Sequence, residues 1–410
     1  MRVRLRSLLG AVLALGLCAC SGAPSSSVTT SRAAQPSGSG ELPTSASSGT
    51  GSATTGASGA GATASATQAL DQACLSAAGK MDVDSQVALL YMGAVTTTSP
   101  SQASAQLAAQ RTGSVLLMAD PGSAAATTQL TAALHDADPQ LLVAVDQEGG
   151  QVQRLSGTGF AGIPAASDQA QQPTATLTTE WNSWGAQLRQ AGVLYNLAPV
   201  SDLVPAQNRA ANAPIGQLGR GYGSTRADVV ANASAVIGGL HAAGLVASTK
   251  HFPGLGNVSV NTDFGVAHDT VTTADSQEVA VFADLVDRTD SVMVGSVVYD
   301  RIDPDHPALF SPTIVQGLLR ERLGFAKVIV SDDLGAAAAL AGYPLAGRGT
   351  TFLRAGGDLA LDVDPASVPA MMADTIRAAG ADPEFAGQLA TKAARVLALK
   401  QSAGLLRCGA

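Results

Sequence analysis

Gly244-Leu245-Val246-Ala247-Ser248-Thr249-Lys250-His251-Phe252-Pro253-Gly254-Leu255-Gly256 is an apolar run that ends in a cation, an imidazole and a Pro-Gly turn. Residues 244–248 read as a buried strand, with Lys250 and His251 expected just beyond it in the turn. A strand that delivers polar groups at one end places them in a pocket at the edge of a sheet. Seven more apolar runs lie at 89–95, 114–119, 141–145, 193–200, 291–298, 327–330 and 358–361. Stretches with helical spacing separate them, among them 101–110, 127–137, 227–242, 276–287 and 313–323. Continuous apolar strands alternating with helices predict a parallel sheet covered by helices. Eight such units predict an α/β fold, a (β/α)8 TIM-type barrel forming a single catalytic domain. A doubly wound open sheet is the alternative, but no Gly-x-Gly-x-x-Gly turn follows the first run.

Barrels of this type carry their chemistry where strands end and βα loops begin. Here the third run ends in Asp146-Gln147-Glu148-Gly149-Gly150 and the fourth near Asp202. The fifth ends in Lys250 and His251, and the seventh in Ser331-Asp332-Asp333. The polar residues fall at one end of their strands. Adjacent strand-end residues point in different directions, so one of Asp332 and Asp333 can face a pocket while the other supports a loop. A carboxylate beside Lys250 is expected to stay ionised, and an oriented, ionised carboxylate can attack an anomeric carbon. Asp146 can accept two sugar hydroxyls, with Gly149 and Gly150 letting backbone approach the ligand. Arg154 and Arg220 offer forked donors, although surface ion pairs are the commoner fate of arginines.

Not all of the 410 residues are expected to fold. Arg2, Arg4 and Arg6 precede an apolar run over residues 8–17, followed by small residues and Cys20. This is the pattern of a secretion signal over residues 1–20. Leu17-Cys18-Ala19-Cys20 resembles a bacterial lipobox, which makes Cys20 the lipidated first residue of the mature chain. Residues 21–67 are rich in Ser, Gly, Ala and Thr and carry only Arg32 and Glu41 as charges. Such a segment buries too little apolar surface to offset its ordering entropy and is expected to be a tether. Residues 68–410 are then the barrel domain, extracytoplasmic and held to the membrane through the lipid alone. Outside the cytoplasm Cys74 and Cys408 are expected to bridge, since a closed barrel brings its first and last elements together. Formal net charge is −8 and only 14% of residues are charged, with no basic stripe to attract nucleic acid. The chain has five His and no His-x-His pair, which argues against a metal-dependent hydrolase.

Together these motifs resemble the peptidoglycan-recycling β-N-acetylglucosaminidases of glycoside hydrolase family 3. Residues 145–154 (Val-Asp-Gln-Glu-Gly-Gly-Gln-Val-Gln-Arg) are similar to the family's V-D-Q-E-G-G-R-V-Q-R. Asn196-Leu197-Ala198-Pro199-Val200-Ser201-Asp202 resembles N-x-A-P-V-x-D. Residues 250–256 resemble K-H-F-P-G-H-G with Leu255 in place of a His, and Ser331-Asp332-Asp333-Leu334 resembles the nucleophile segment. The resemblance implies a retaining exo-hydrolase that releases terminal β-linked N-acetylglucosamine from cell-wall glycan fragments or muropeptides, with no metal or organic cofactor. Asp332 would be the nucleophile, and Asp146, Arg154, Arg220, Lys250 and His251 would hold the sugar.

One motif departs from the family. The loop after K-H-F-P-G-H-G carries D-S-H, whose Asp and His supply the acid/base; here Asn261-Thr262-Asp263 stands there. Three readings follow. Asp263 is itself the acid/base, its protonated form favoured by burial or a neighbouring carboxylate. His268 swings in to pair with Asp263. Or the chain is a tethered sugar-binding protein that turns substrate over poorly. A phosphorylase, and a Schiff-base lyase using Lys250, are further alternatives.

Overall fold

The computed structural model describes residues 71–409. The expected signal segment, Cys20 and the tether over residues 21–67 lie outside the described residues, as does the expected domain start at residue 68.

Eight strands form one parallel sheet. They are β1 (Tyr91–Val95), β2 (Ser114–Leu117), β3 (Leu142–Val145), β4 (Tyr195–Asn196), β5 (Val246–Phe252), β6 (Ser291–Val294), β7 (Val328–Ser331) and β8 (Ala360–Asp362). Each pairs with its sequence neighbours, and β8 pairs with β1 through Tyr91 and Ala360. The ring closes where Val330 bridges Leu359, and Ser331 N donates to Leu359 O at 3.0 Å. A closed ring excludes the open doubly wound sheet. Helices follow the strands in alternation: Pro100–Gln110, Ala124–Ala137, Thr174–Gln190, Arg226–Ala242, Gln277–Leu285, Thr313–Arg322, Arg348–Arg354 and Val368–Ala381. Thr174–Gln190 packs most extensively on Arg226–Ala242.

The strands are largely apolar because both their faces are buried. In β2 and β3 the alternation sorts side chains into two layers. Val115, Leu117, Val143 and Val145 join Leu107, Leu130 and Leu134 of the covering helices in one core. Leu116 and Ala144 join Leu197 and Met293 from other strands in the second.

Two of the apolar runs are longer than the strands they form. Residues 193–200 contribute only Tyr195–Asn196 to the ladder, and 291–298 split into β6 and a short strand, Val298–Tyr299, that belongs to a separate three-stranded sheet. The fifth run differs the other way. β5 continues through Phe252, so Lys250 and His251 lie within the strand and not in the turn after it.

The first and last elements meet as expected. The Cys74 and Cys408 sulfurs are bonded, and Gln401 Nε2 donates to Asp71 Oδ2 at 3.0 Å beside them. Asp71 also caps the Gln72–Ala78 helix by accepting from Ala73 N and Cys74 N.

Candidate active site

A cavity of about 350 Å³ opens at the C-terminal ends of the strands. Asp146, Arg154, Arg220, Lys250, His251, Asp263 and Asp332 all line it. Those are seven of the eight side chains expected to act on or hold substrate. The eighth, His268, is elsewhere. It sits on the short strand His268–Asp269, which pairs with Val298–Tyr299, and its ring bonds Asp300 at 2.9 Å. The side chain is 53% exposed. The backbone pairing holds the ring at the surface, which corrects the reading in which it meets Asp263.

Local sequence explains how each group arrives. The register of β5 against β6 shifts between Thr249 and Phe252. Such a bulge breaks the strand alternation and lets both Lys250 and His251 line the cavity. After β3 the chain makes a two-stranded hairpin, Gln147–Gly149 with Val152–Gln153, that brings Arg154 back over the cavity. Gly149 (φ 98°) and Gly150 (φ 57°) form its turn. A Cβ on Gly149 would lie 2.4 Å from Pro164 O. These glycines therefore serve the turn and its packing, and not backbone approach to a ligand. Asn196 ties the hairpin to β4: its Oδ1 accepts from Gln147 N and its Nδ2 donates to Gln147 O.

Lys250 Nζ bonds Asp146 Oδ1 at 2.5 Å and Glu148 Oε1 at 2.6 Å. Arg220 forks onto Glu148 at 2.8 and 2.7 Å. Burial pushes the Lys250 ammonium toward its neutral form, but the Asp146 and Glu148 charges outweigh it and raise its pKa. A lysine held as a cation cannot form a Schiff base, which removes the lyase reading. Burial likewise pushes Glu148 up, while Arg220 and Lys250 hold it well below the usual carboxylate range. Glu148 does not line the cavity; it fixes the two cations that do. The sequence reading passed over it, although it stands two residues from Asp146, the spacing that shares a face in extended chain.

Asp332 does not sit as expected. Lys250 is engaged by Asp146 and Glu148, and the basic side chain that acts on Asp332 is His251. Burial raises the Asp332 pKa; His251 opposes the shift, and the charges of Asp263 and Asp333 add to it. Asp332 Oδ1 accepts from Asp333 N at 2.8 Å. Asp333 supports loops: it accepts from Gly335 N, Ala336 N and Val363 N, linking β7 to β8.

The loop after β5 lies against the segment after β7. Ala339 N donates to Thr262 O at 3.2 Å and Ala338 N to Asp263 O at 3.4 Å. Asp263 thereby reaches the cavity mouth, where it is exposed to solvent. The burial expected for Asp263 is missing, and its charge acts on the carboxylate of Asp332.

A half-buried carboxylate at the end of β7, a second carboxylate at the mouth and a fixed Lys–Asp pair share this cavity. The sequence profile of the glycosyl hydrolase family 3 N-terminal domain matches residues 83–399. The chain belongs to glycosyl hydrolase family 3. A β-hexosaminidase of Xylella fastidiosa (strain 9a5c) is 35% identical over 264 residues, which are 62% of this chain and 76% of that protein. The crystal structure of a β-N-acetylhexosaminidase from Beutenbergia cavernae DSM 12333 is similar at 40% identity with a TM-score of 0.74, covering 78% of this chain and 99% of the other. A family 3 glycosyl hydrolase of Mycobacterium smegmatis is similar at 29% identity with a TM-score of 0.69, over 78% and 98% of the two chains.

Proposed function

We propose that this family 3 hydrolase is a retaining exo-β-N-acetylhexosaminidase acting on N-acetylglucosamine at the ends of cell-wall glycan fragments. The observation that carries the reading is the pairing of Asp332 with Asp263 across one closed-ended cavity. Asp332 is half-buried at its wall, Asp263 is exposed at its mouth, and the charge of Asp263 acts on Asp332. In the first step the Asp332 carboxylate attacks the anomeric carbon as the glycosidic C–O bond breaks. Asp263 gives its proton to the departing oxygen. In the second step Asp263 takes a proton from water, and the resulting hydroxide displaces Asp332 from the sugar. Asp146, held by Lys250, accepts hydrogen bonds from hydroxyls of the bound sugar, and Arg154 and Arg220 donate to its oxygens. A cavity of about 350 Å³ suits a chain end better than an internal segment of a glycan.

An aryl β-N-acetylglucosaminide should be cleaved far faster than the matching aryl β-glucoside, with no dependence on phosphate. Faster turnover with phosphate would make the enzyme a phosphorylase. Brief reaction with a fluorinated, activated N-acetylglucosaminide should leave the sugar on the peptide containing Asp332. A label on another residue would sink the assignment.

We also infer attachment to the outer face of the membrane through Cys20. Its support is the basic-apolar start, the lipobox-like residues 17–20 and the Cys74–Cys408 bridge, which favours an oxidising compartment. Cys20→Ala should release the protein from the membrane fraction. An unchanged distribution would end that reading.

A further inference from the structure

The carboxylate of Asp202 is fully buried, does not line the cavity and takes no part in the steps above. It nonetheless makes three hydrogen bonds beside the site. Oδ2 bonds His251 Nδ1 at 2.7 Å. Oδ1 accepts from His251 N at 3.2 Å and from Leu255 N at 2.7 Å. One carboxylate therefore holds both the ring and the backbone of His251, together with the start of the turn that follows. A carboxylate on Nδ1 sets the tautomer and orientation of an imidazole, so Nε2 is the nitrogen left for the cavity. His251 is also the group whose charge favours the ionised form of Asp332.

We propose that Asp202 is a positioning residue that acts through His251 to keep Asp332 available as a carboxylate. The inference rests on Asp332 being the nucleophile. Its physical content is a charge sequence of carboxylate, imidazole and carboxylate running from β4 through β5 to β7. Without Asp202 the ring loses the acceptor that fixes its Nδ1, and with it the placement of the imidazole beside Asp332. The groups facing Asp332 are His251 from β5, Asp263 from the loop after β5 and Asp333 from its own strand end. Asp146, Lys250, Arg154 and Arg220 complete the charged lining. Of the three that act on Asp332, the two acids oppose its ionisation. Besides His251, the Asp333 N–H bond favours the ionised form of Asp332.

Asp202→Asn is nearly isosteric and keeps an oxygen for the backbone donors of His251 and Leu255, while it removes the charge facing Nδ1. The acidic limb of the kcat/KM–pH profile should move up by about one pH unit, so that kcat/KM at a pH well down that limb falls about tenfold. His251→Gln should produce the same movement, and the double variant should move no further than His251→Gln alone. An unmoved limb in Asp202→Asn, or additive shifts in the double variant, would overturn the inference. If Asp202→Asn folds poorly, the limb in His251→Gln still decides: an unmoved limb there overturns it as well. Labelling by the fluorinated glycoside is run on the parent in parallel. A label on Asp332 with an unmoved limb removes the role of Asp202 only, whereas a label elsewhere removes the nucleophile assignment and this inference with it.

Discussion

Glu148→Gln tests the electrostatic frame under the sugar site most directly. In the native protein two carboxylates, Asp146 and Glu148, face two cations, Arg220 and Lys250, so the cluster is balanced. Glu148 supplies three of the contacts: two from Arg220 at 2.8 and 2.7 Å and one from Lys250 at 2.6 Å. Glutamine keeps the shape but leaves two cations against Asp146 alone. Removing one partner of a buried ion pair costs about 3–5 kcal/mol. Asp146 still neutralises Lys250, and Pro214 O still accepts from Arg220 at 2.9 Å, so the low end, about 3 kcal/mol, is expected. For a domain of this size that lowers Tm by roughly 4 °C.

The folded Glu148 carboxyl lies below its unfolded value. Its stabilisation is therefore complete above the unfolded pKa, near pH 4.3, and is lost as pH falls from there through the folded pKa. The variant should lack that part of the acid dependence. Because Glu148 lies behind the cavity, KM for an aryl N-acetylglucosaminide should rise about tenfold with a smaller change in kcat. Urea unfolding at pH 7 and at pH 4, with steady-state kinetics, checks both. A loss below about 0.5 kcal/mol together with an unchanged KM would refute the argument.

Asp263→Ala should slow substrates with poor leaving groups by about 10²–10⁴-fold while sparing activated aryl substrates; equal losses for both would remove Asp263 as the acid/base. His268→Ala should leave kcat/KM for either substrate unchanged within about twofold, since the ring bonds Asp300 at the surface, and a large loss would mean the loop rearranges to bring it in. Replacing Cys74 and Cys408 together by Ser should cost about 2–5 kcal/mol of stability without altering KM; calorimetry and kinetics on reduced and oxidised enzyme measure it. Lys400, in the Pro383–Ser402 helix, is buried with Gln140 O as its bonded partner, and burial pushes its pKa down to about 8. The unfolded chain therefore holds the extra proton between about pH 8 and 10.4, so stability climbs with pH across that window. Lys400→Met should stabilise the protein at pH 7 by on the order of 2 kcal/mol and flatten the climb, as pH-dependent unfolding will show.

Much of the fold was legible because burial on both faces of a parallel strand leaves a continuous apolar run, and eight such runs alternate with helices along the chain. The same logic placed Asp146, Lys250, His251 and Asp332 at one rim, since a polar residue that ends a buried run has to emerge at the strand's end. Local pattern did not place the strand ends themselves. The bulge in β5 depends on pairing with β6, so nothing in residues 244–252 shows that Lys250 and His251 share the cavity inside the strand.

The sequence by itself determined which residues could form a sugar site, because residue type and position at a strand end are local properties. Which charges meet was decided only by closure of the barrel. Lys250 is 104 residues from Asp146, and Asp202 is 49 from His251. The sequence left Lys250 free to be matched with Asp332. In the folded chain it meets Asp146 and Glu148, and His251 stands beside Asp332 instead. Strand order and tilt bring one set of side chains within hydrogen-bonding distance and keep the other apart, and electrostatic interactions at that range decide the protonation state of each group.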